Sequence, residues 1–191
     1  MSRFPSAERR RRLEGYACLA LFCGCIPLAN WLIGHVGTVC APGQPCTIPV
    51  WPGVQAPSGV LAVGLALVLR DLVQRRLGLS WALGAIAAGA ALSWFVSPAA
   101  LVLASVAAFV LSELADLLVY TPLQRRGLVL AVAASGIVGI AVDSVFFLSL
   151  AFGSLDFLAG QMAGKAWGLL AALPLVHWLR ERDRRQGLVG A

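Results

Sequence analysis

Residues 127–152 read GLVLAVAASGIVGIAVDSVFFLSLAF, an apolar stretch in which Asp143 is the one ionisable side chain. Crossing the hydrocarbon core of a bilayer takes about 20 mostly apolar residues in a helix. This stretch is longer than that and apolar on every side, a pattern belonging either to a membrane span or to the core of a large protein. A chain of 191 residues has no such core in which to bury several helices of this kind. The membrane is therefore its solvent.

Stretches of the same character flank it. Working outward, spans are expected at 157–179, from Pro98 to near Tyr120 where Pro122 stops the helix, and at 80–96, 59–76 and 15–34. Six spans use roughly 120 residues, and the connections left over are short. Composition agrees, with 59% apolar residues, 13% charged and a mean hydropathy of +0.83. A soluble domain is closer to half apolar and a quarter charged. Residues 35–58, rich in Pro, Gly, Cys and Gln, read as an outer loop or re-entrant segment. The expected fold is an all-α integral membrane protein of six transmembrane helices. A basic arm (1–14) precedes the transmembrane domain (15–179), and a charged tail (180–191) follows it. Neither an internal repeat nor a low-complexity segment is present.

Orientation follows from the placement of Lys and Arg. The N-terminal arm, Arg75 and Arg76, Arg125 and Arg126, and the tail together hold 13 of the 15 basic residues. The opposite connections hold none, and the remaining two, Arg70 and Lys165, lie within spans. Both termini are expected on the cytoplasmic face of a bacterial inner membrane. The Arg9–Arg12 block before an apolar run also resembles a signal peptide. The run from Tyr16 to Val36 is long and lacks a convincing small-residue cleavage site, so a retained first helix is the expectation.

The net charge of +6 does not imply nucleic acid. The arginines sit at helix ends, where anionic headgroups account for them, and no basic surface is interleaved with aromatics. With only His35 and His177, both near helix ends, neither a metal nor another cofactor is expected. Cys40 and Cys46 lie in the outer loop, where an oxidising compartment permits a disulfide without requiring it. Cys18, Cys23 and Cys25 read as small apolar residues. An H-E-x-x-H, a G-x-S-x-G and a phosphate-binding G-x-x-x-x-G-K-[ST] are all missing, so enzymatic work is not expected.

Ionisable groups inside the hydrocarbon are functional candidates by default. They are Arg70, Asp71, Glu113, Asp116, Asp143 and Lys165. At ~1.5 Å per residue, Asp143 and Lys165 each lie ~12–14 Å below the outer boundary, on spans joined by a short connection, so they can meet. Glu113 is ~12 Å from the inner end of its span. All three fall in one slab near the midplane, where transporters commonly hold substrate. Plainer readings stand beside these. Asp143 and Lys165 can form a structural pair; Arg70 can snorkel to headgroups; Asp71 can meet Arg75 at i+4; Asp116 can meet Arg125 or Arg126. Glu113 has no cation at i±3 or i±4 and needs a proton, a distant cation or a ligand. Gly160, Gly164 and Gly168 form a small-residue stripe that lets helices approach closely and fixes where Lys165 points. Trp31, Trp51, Trp94 and Trp178 suit an interfacial belt; Trp167 lies deeper and offers a stacking face.

The stretches Ala56-Pro57-Ser58-Gly59 and Val68-Leu69-Arg70-Asp71-Leu72-Val73, followed by Leu77-Gly78, resemble the second-helix motif of the vitamin uptake transporter (VUT) family. Ser112 to Val119, with Glu113 where Gln is usual, is similar to that family's polar-x-x-Asp pattern. Asp143-Ser144-Val145-Phe146-Phe147, Lys165 and Asn30 resemble further family positions. The likeness runs over roughly residues 15–180, departing at Glu113 and in an unusually Ala/Gly-rich third helix. It implies uptake of a queuosine precursor, chiefly 7-cyano-7-deazaguanine, bound by Glu113, Asp143, Lys165, Asp71, Asn30, Gln161 and Trp167. Arg70 and Asp116 are then candidates for ion coupling or gating. Such a base presents two adjacent N–H donors that one carboxylate can accept together, and Lys165 can donate to its ring carbonyl. The expected partners are the lipid bilayer and a small nucleobase-like substrate, with homodimerisation open. A substrate-binding subunit of an energy-coupling-factor importer and a non-transport membrane protein are the alternatives.

Overall fold

The computed structural model describes residues 4–40, 45–99 and 101–186. Six long helices follow one another: α1 (Phe4–His35), α2 (Val60–Leu77), α3 (Leu79–Val96), α4 (Val102–Leu123), α5 (Leu128–Phe152) and α6 (Leu158–Arg185). Between α1 and α2 lies a β-hairpin, β1 (Thr47–Trp51) paired antiparallel with β2 (Val54–Pro57). The loop expected over 35–58 is thus partly a sheet. Its turn, Pro52-Gly53, places Gly53 at φ +74, a conformation glycine adopts freely. The Cys40–Cys46 disulfide is formed beside the hairpin. The basic arm is helical from Phe4 and continues into α1. Pro122 falls in the last turn of α4, which runs to Leu123, slightly beyond the expected end.

Helices α3, α4, α5 and Glu8–His35 of α1 are long and apolar enough to cross a membrane. The other two fall short of that pattern: the last turn of α2 carries Arg75 and Arg76, and polar groups lie within both apolar runs, Arg70 and Asp71 on α2 and Gln161 and Lys165 on α6. Those groups turn inward and are at most 3% exposed. Large apolar side chains such as Phe95, Leu103, Leu118 and Ile137 face outward, the reverse of a soluble domain and suited to lipid.

α2 occupies the centre and packs against all five other helices. Only Gly78, at φ +100, separates it from α3. The glycine stripe of α6 lies against α2 and the hairpin. A Cβ at Gly160 would strike the Gln55 carbonyl, one at Gly164 would strike Val60, and one at Gly168 would lie 2.6 Å from the Leu61 carbonyl. Gly64 answers from α2, pressed against the Lys165 carbonyl. Backbones this close set the depth and direction of Lys165. One end of the bundle carries the hairpin. At the terminal end, Arg76 binds Asp183 at 2.7 and 3.2 Å and Glu14 at 3.2 Å, while Arg182 binds Glu14 at 2.7 Å. This network ties α1, α2 and α6 together. Burial opposes ionisation of Asp183, but hydrogen bonds and charge from Arg76, with help from Arg182 and Arg75, hold its carboxyl below the usual range.

Candidate functional site

A cavity enters the bundle from the hairpin end, between Asn30 and Ile33 of α1, Pro57 before α2 and Ser93 of α3. It offers about 110 Å³ to the centres of water molecules, where one water needs on the order of 10–15 Å³. Its walls are mostly apolar, with Phe109 and Phe147 supplying aromatic surface. Its polar side chains include Glu113, Asp143, Lys165, Gln161 and Asn30. An apolar cavity with a few convergent polar groups is the usual form of a small-molecule site.

Two charged clusters border the cavity. In the first, Lys165 Nζ donates to Asp143 Oδ2 at 2.5 Å, to Ser144 Oγ at 2.9 Å and to Gln161 Oε1. The depth match read from the sequence therefore becomes a contact between α5 and α6. Asp143 and Lys165 neutralise one another, while Ser144 and Gln161 fill the ammonium's remaining donor positions.

The second cluster is larger. Arg70 Nε donates to Glu113 Oε2 at 3.0 Å, Nη2 donates to Asp116 Oδ1, and Nη1 lies 3.0 Å from Asp71 Oδ1. Ser135 of α5 donates to Asp71 Oδ2 at 3.1 Å, and the Tyr120 ring faces the guanidinium at 5.9 Å. The local pairings considered from the sequence give way to these. Arg70 is fully buried and does not snorkel; Asp71 meets Arg70 rather than Arg75, and Asp116 meets Arg70 rather than Arg125 or Arg126. The distant cation that Glu113 required is Arg70. The planar fork of arginine, with donors on three nitrogens, suits it to gather carboxylates from two helices.

Of the residues singled out from the sequence, Glu113, Asp143, Lys165, Gln161 and Asn30 line the cavity. Asp71, Arg70 and Asp116 lie behind Glu113, outside the lining. Trp167 faces the hairpin, donating its indole N–H to the Val50 carbonyl at 2.8 Å and stacking on Trp51. The aromatic wall is formed instead by Phe109 and Phe147. Each stands four residues from a cavity carboxylate on its own helix, Glu113 and Asp143 respectively, a spacing that puts side chains on one face. Ser112, which donates to the Phe109 carbonyl and reaches Asp143 at 3.5 Å, also lines the cavity.

Comparison with known proteins gives one family. The family model described as "Putative vitamin uptake transporter" matches residues 93–179. The matched region runs from the end of α3 into α6 and contains Glu113, Asp116, Asp143 and Lys165. No curated protein and no solved structure matches the chain. The match supports the vitamin uptake transporter family and, with the apolar helices, a multi-pass membrane protein similar to transporters rather than to a class of enzymes.

Proposed function

We propose that this chain is a six-span secondary transporter of a bacterial inner membrane that imports a queuosine precursor, 7-cyano-7-deazaguanine or a related 7-deazaguanine. The observation that carries the reading is Glu113. Arg70 occupies its Oε2, while no group among the described residues donates to Oε1, and the carboxylate borders an apolar cavity. It can accept an N–H from a base edge there. The three donors of Lys165 are taken by Asp143, Ser144 and Gln161, so the side-chain amides of Gln161 and Asn30 offer the further polar contacts, and Phe109 and Phe147 suit the faces of a flat ring.

Six spans with both termini in the cytoplasm belong to the same reading. The inward turn of the charges on α2 and α6 lets both helices cross beside the apolar four. The basic helix ends favour the terminal face as the cytoplasmic one, and the Cys40–Cys46 disulfide suits the hairpin to an oxidising exterior. A cysteine placed at Ser154 should react with an impermeant thiol reagent in intact cells, and one at Gly127 only after lysis. The reverse labelling would overturn this orientation.

Uptake of labelled 7-cyano-7-deazaguanine into liposomes containing only this chain tests the transport claim. Accumulation that excess unlabelled ligand suppresses is expected. Accumulation only after adding an ATPase and a coupling membrane protein would make the chain a binding subunit instead.

A further inference from the structure

One guanidinium serves three carboxyls. Arg70 contacts Asp71, Glu113 and Asp116, and each of the four side chains is at most 2% exposed. The other groups facing the cluster are neutral or already paired. Gln74 of α2 accepts from Arg70 at 3.4 Å, Ser135 of α5 donates to Asp71, and Tyr120 of α4 presents its ring. Asp143 of α5, beyond Ser112, is held by Lys165 of α6. No second cation contacts the three carboxyls among the described residues. Fully ionised, the cluster would carry two uncompensated negative charges in a low-dielectric interior. Carboxyls sharing such a site relieve the repulsion by keeping a proton.

Two atoms mark where that proton sits. Asp116 Oδ2 and Asp71 Oδ1 are buried and receive no aligned hydrogen bond, although Asp71 Oδ1 has Arg70 Nη1 at 3.0 Å as an ion-pair neighbour. The two carboxyls meet neighbouring nitrogens of one guanidinium, Asp71 at Nη1 and Asp116 at Nη2. One proton held by the pair removes one of the two excess charges and supplies a donor where neither oxygen has one. α5 closes over the pair, with Gly139 so near that a Cβ there would lie 3.1 Å from Asp116 Oδ2. That leaves little room on this side for a bridging water. A metal cation is disfavoured because Arg70 already holds the centre of the cluster.

We infer that Asp71 and Asp116 form a shared proton site, linked through Arg70 to ligand binding at Glu113. The linkage has a sign. With a proton on the aspartate pair, Arg70 and the pair balance, and Glu113 stays ionised and able to accept N–H donors. A second proton goes to Glu113, the anion left over, and removes that capacity. Ligand and this second proton therefore compete for Glu113, and reciprocity requires that ligand binding expel the proton. The coupling half of the inference rests on the ligand reading of Glu113; the proton site stands on charge balance and the two orphaned oxygens alone.

The two halves are separable by experiment. Infrared spectroscopy of the purified, ligand-free protein at neutral pH should show a protonated-carboxyl C=O stretch that shifts in heavy water. Asp116→Asn should remove it, and Glu113→Gln should leave it. A wild-type spectrum with no such band overturns the proton site whether or not any ligand binds. For the coupling, 7-cyano-7-deazaguanine affinity should fall by up to about tenfold per pH unit below the titration of Glu113. Calorimetry in buffers of different ionisation enthalpy should report proton release on binding at low pH. Binding that is independent of pH, or dependent on sodium, overturns the coupling. A band with no binding of the base at any pH leaves the proton site standing and removes both the substrate reading and the coupling.

Discussion

The two charged clusters solve the same problem in different ways. Around Lys165 one cation meets one carboxylate, and neutral Ser144 and Gln161 complete its hydrogen bonds. Around Arg70 one cation meets three acids, and two carboxyl oxygens receive no aligned hydrogen bond. The balanced cluster is closed and can serve as a fixed wall. The unbalanced one has to hold a proton, and it touches the cavity only through Glu113. Within the unbalanced cluster, ligand contact falls to Glu113 and the proton to the aspartate pair behind it.

The largest effect should come from removing the hub of the unbalanced cluster. Arg70→Met leaves three buried carboxyls without their cation, a loss of about 3–5 kcal/mol, read as a lower Tm or as absence of folded protein in detergent. Arg70→Lys should recover only part, because an ammonium lacks the fork that reaches two helices at once.

The balanced cluster should respond differently to paired substitution. Lys165→Ala alone strands Asp143 and should lower stability by a comparable amount. Asp143→Ala with Lys165→Ala removes both charges, which can be nearly neutral, and should restore folding without restoring uptake. Full rescue of uptake would reduce the pair to a strut between α5 and α6.

Glu113→Gln should act on the ligand more than on the fold. The amide oxygen can still accept from Arg70, but an NH2 then meets the donors of the base. An unmet buried polar group costs about 1–3 kcal/mol, or roughly five- to 150-fold in Kd. The smallest effect belongs to the terminal network. The folded Asp183 carboxyl titrates below its unfolded value, so its contribution is complete above about pH 4 and is lost as pH falls through the folded value. Asp183→Asn should therefore lower Tm at neutral pH and flatten its fall in acid.

The balanced cluster was legible in the sequence and the unbalanced one was not, for a physical reason. Asp143 and Lys165 sit on consecutive helices joined by a short connection, so equal depth implies contact. Arg70 finds Glu113 and Asp116 across 43 and 46 residues of sequence, with all of α3 between. Helical spacing offers only local partners, so the sequence suggested Arg75 for Asp71 and Arg125 or Arg126 for Asp116. The central position of α2 decides otherwise. The hairpin had a signal that composition obscured, since Thr47-Ile48-Pro49-Val50-Trp51, Pro52-Gly53 and Val54-Gln55-Ala56-Pro57 read as strand, turn and strand. Phe109 and Phe147 were visible one helical turn from their carboxylates, whereas Trp167 drew attention by depth alone.

The central claim is that Glu113 reads the base in this cavity, and ligand-induced stabilisation tests it most directly. A ligand that binds only the folded state at a hundred times its Kd adds about 2.7 kcal/mol. Thermal unfolding of wild type, Glu113→Gln and Glu113→Ala would be followed with 7-cyano-7-deazaguanine, guanine and no ligand. The Tm of wild type should rise with 7-cyano-7-deazaguanine, that of Glu113→Gln should rise less and that of Glu113→Ala should not change. Equal rises in all three proteins would show that the base is read elsewhere.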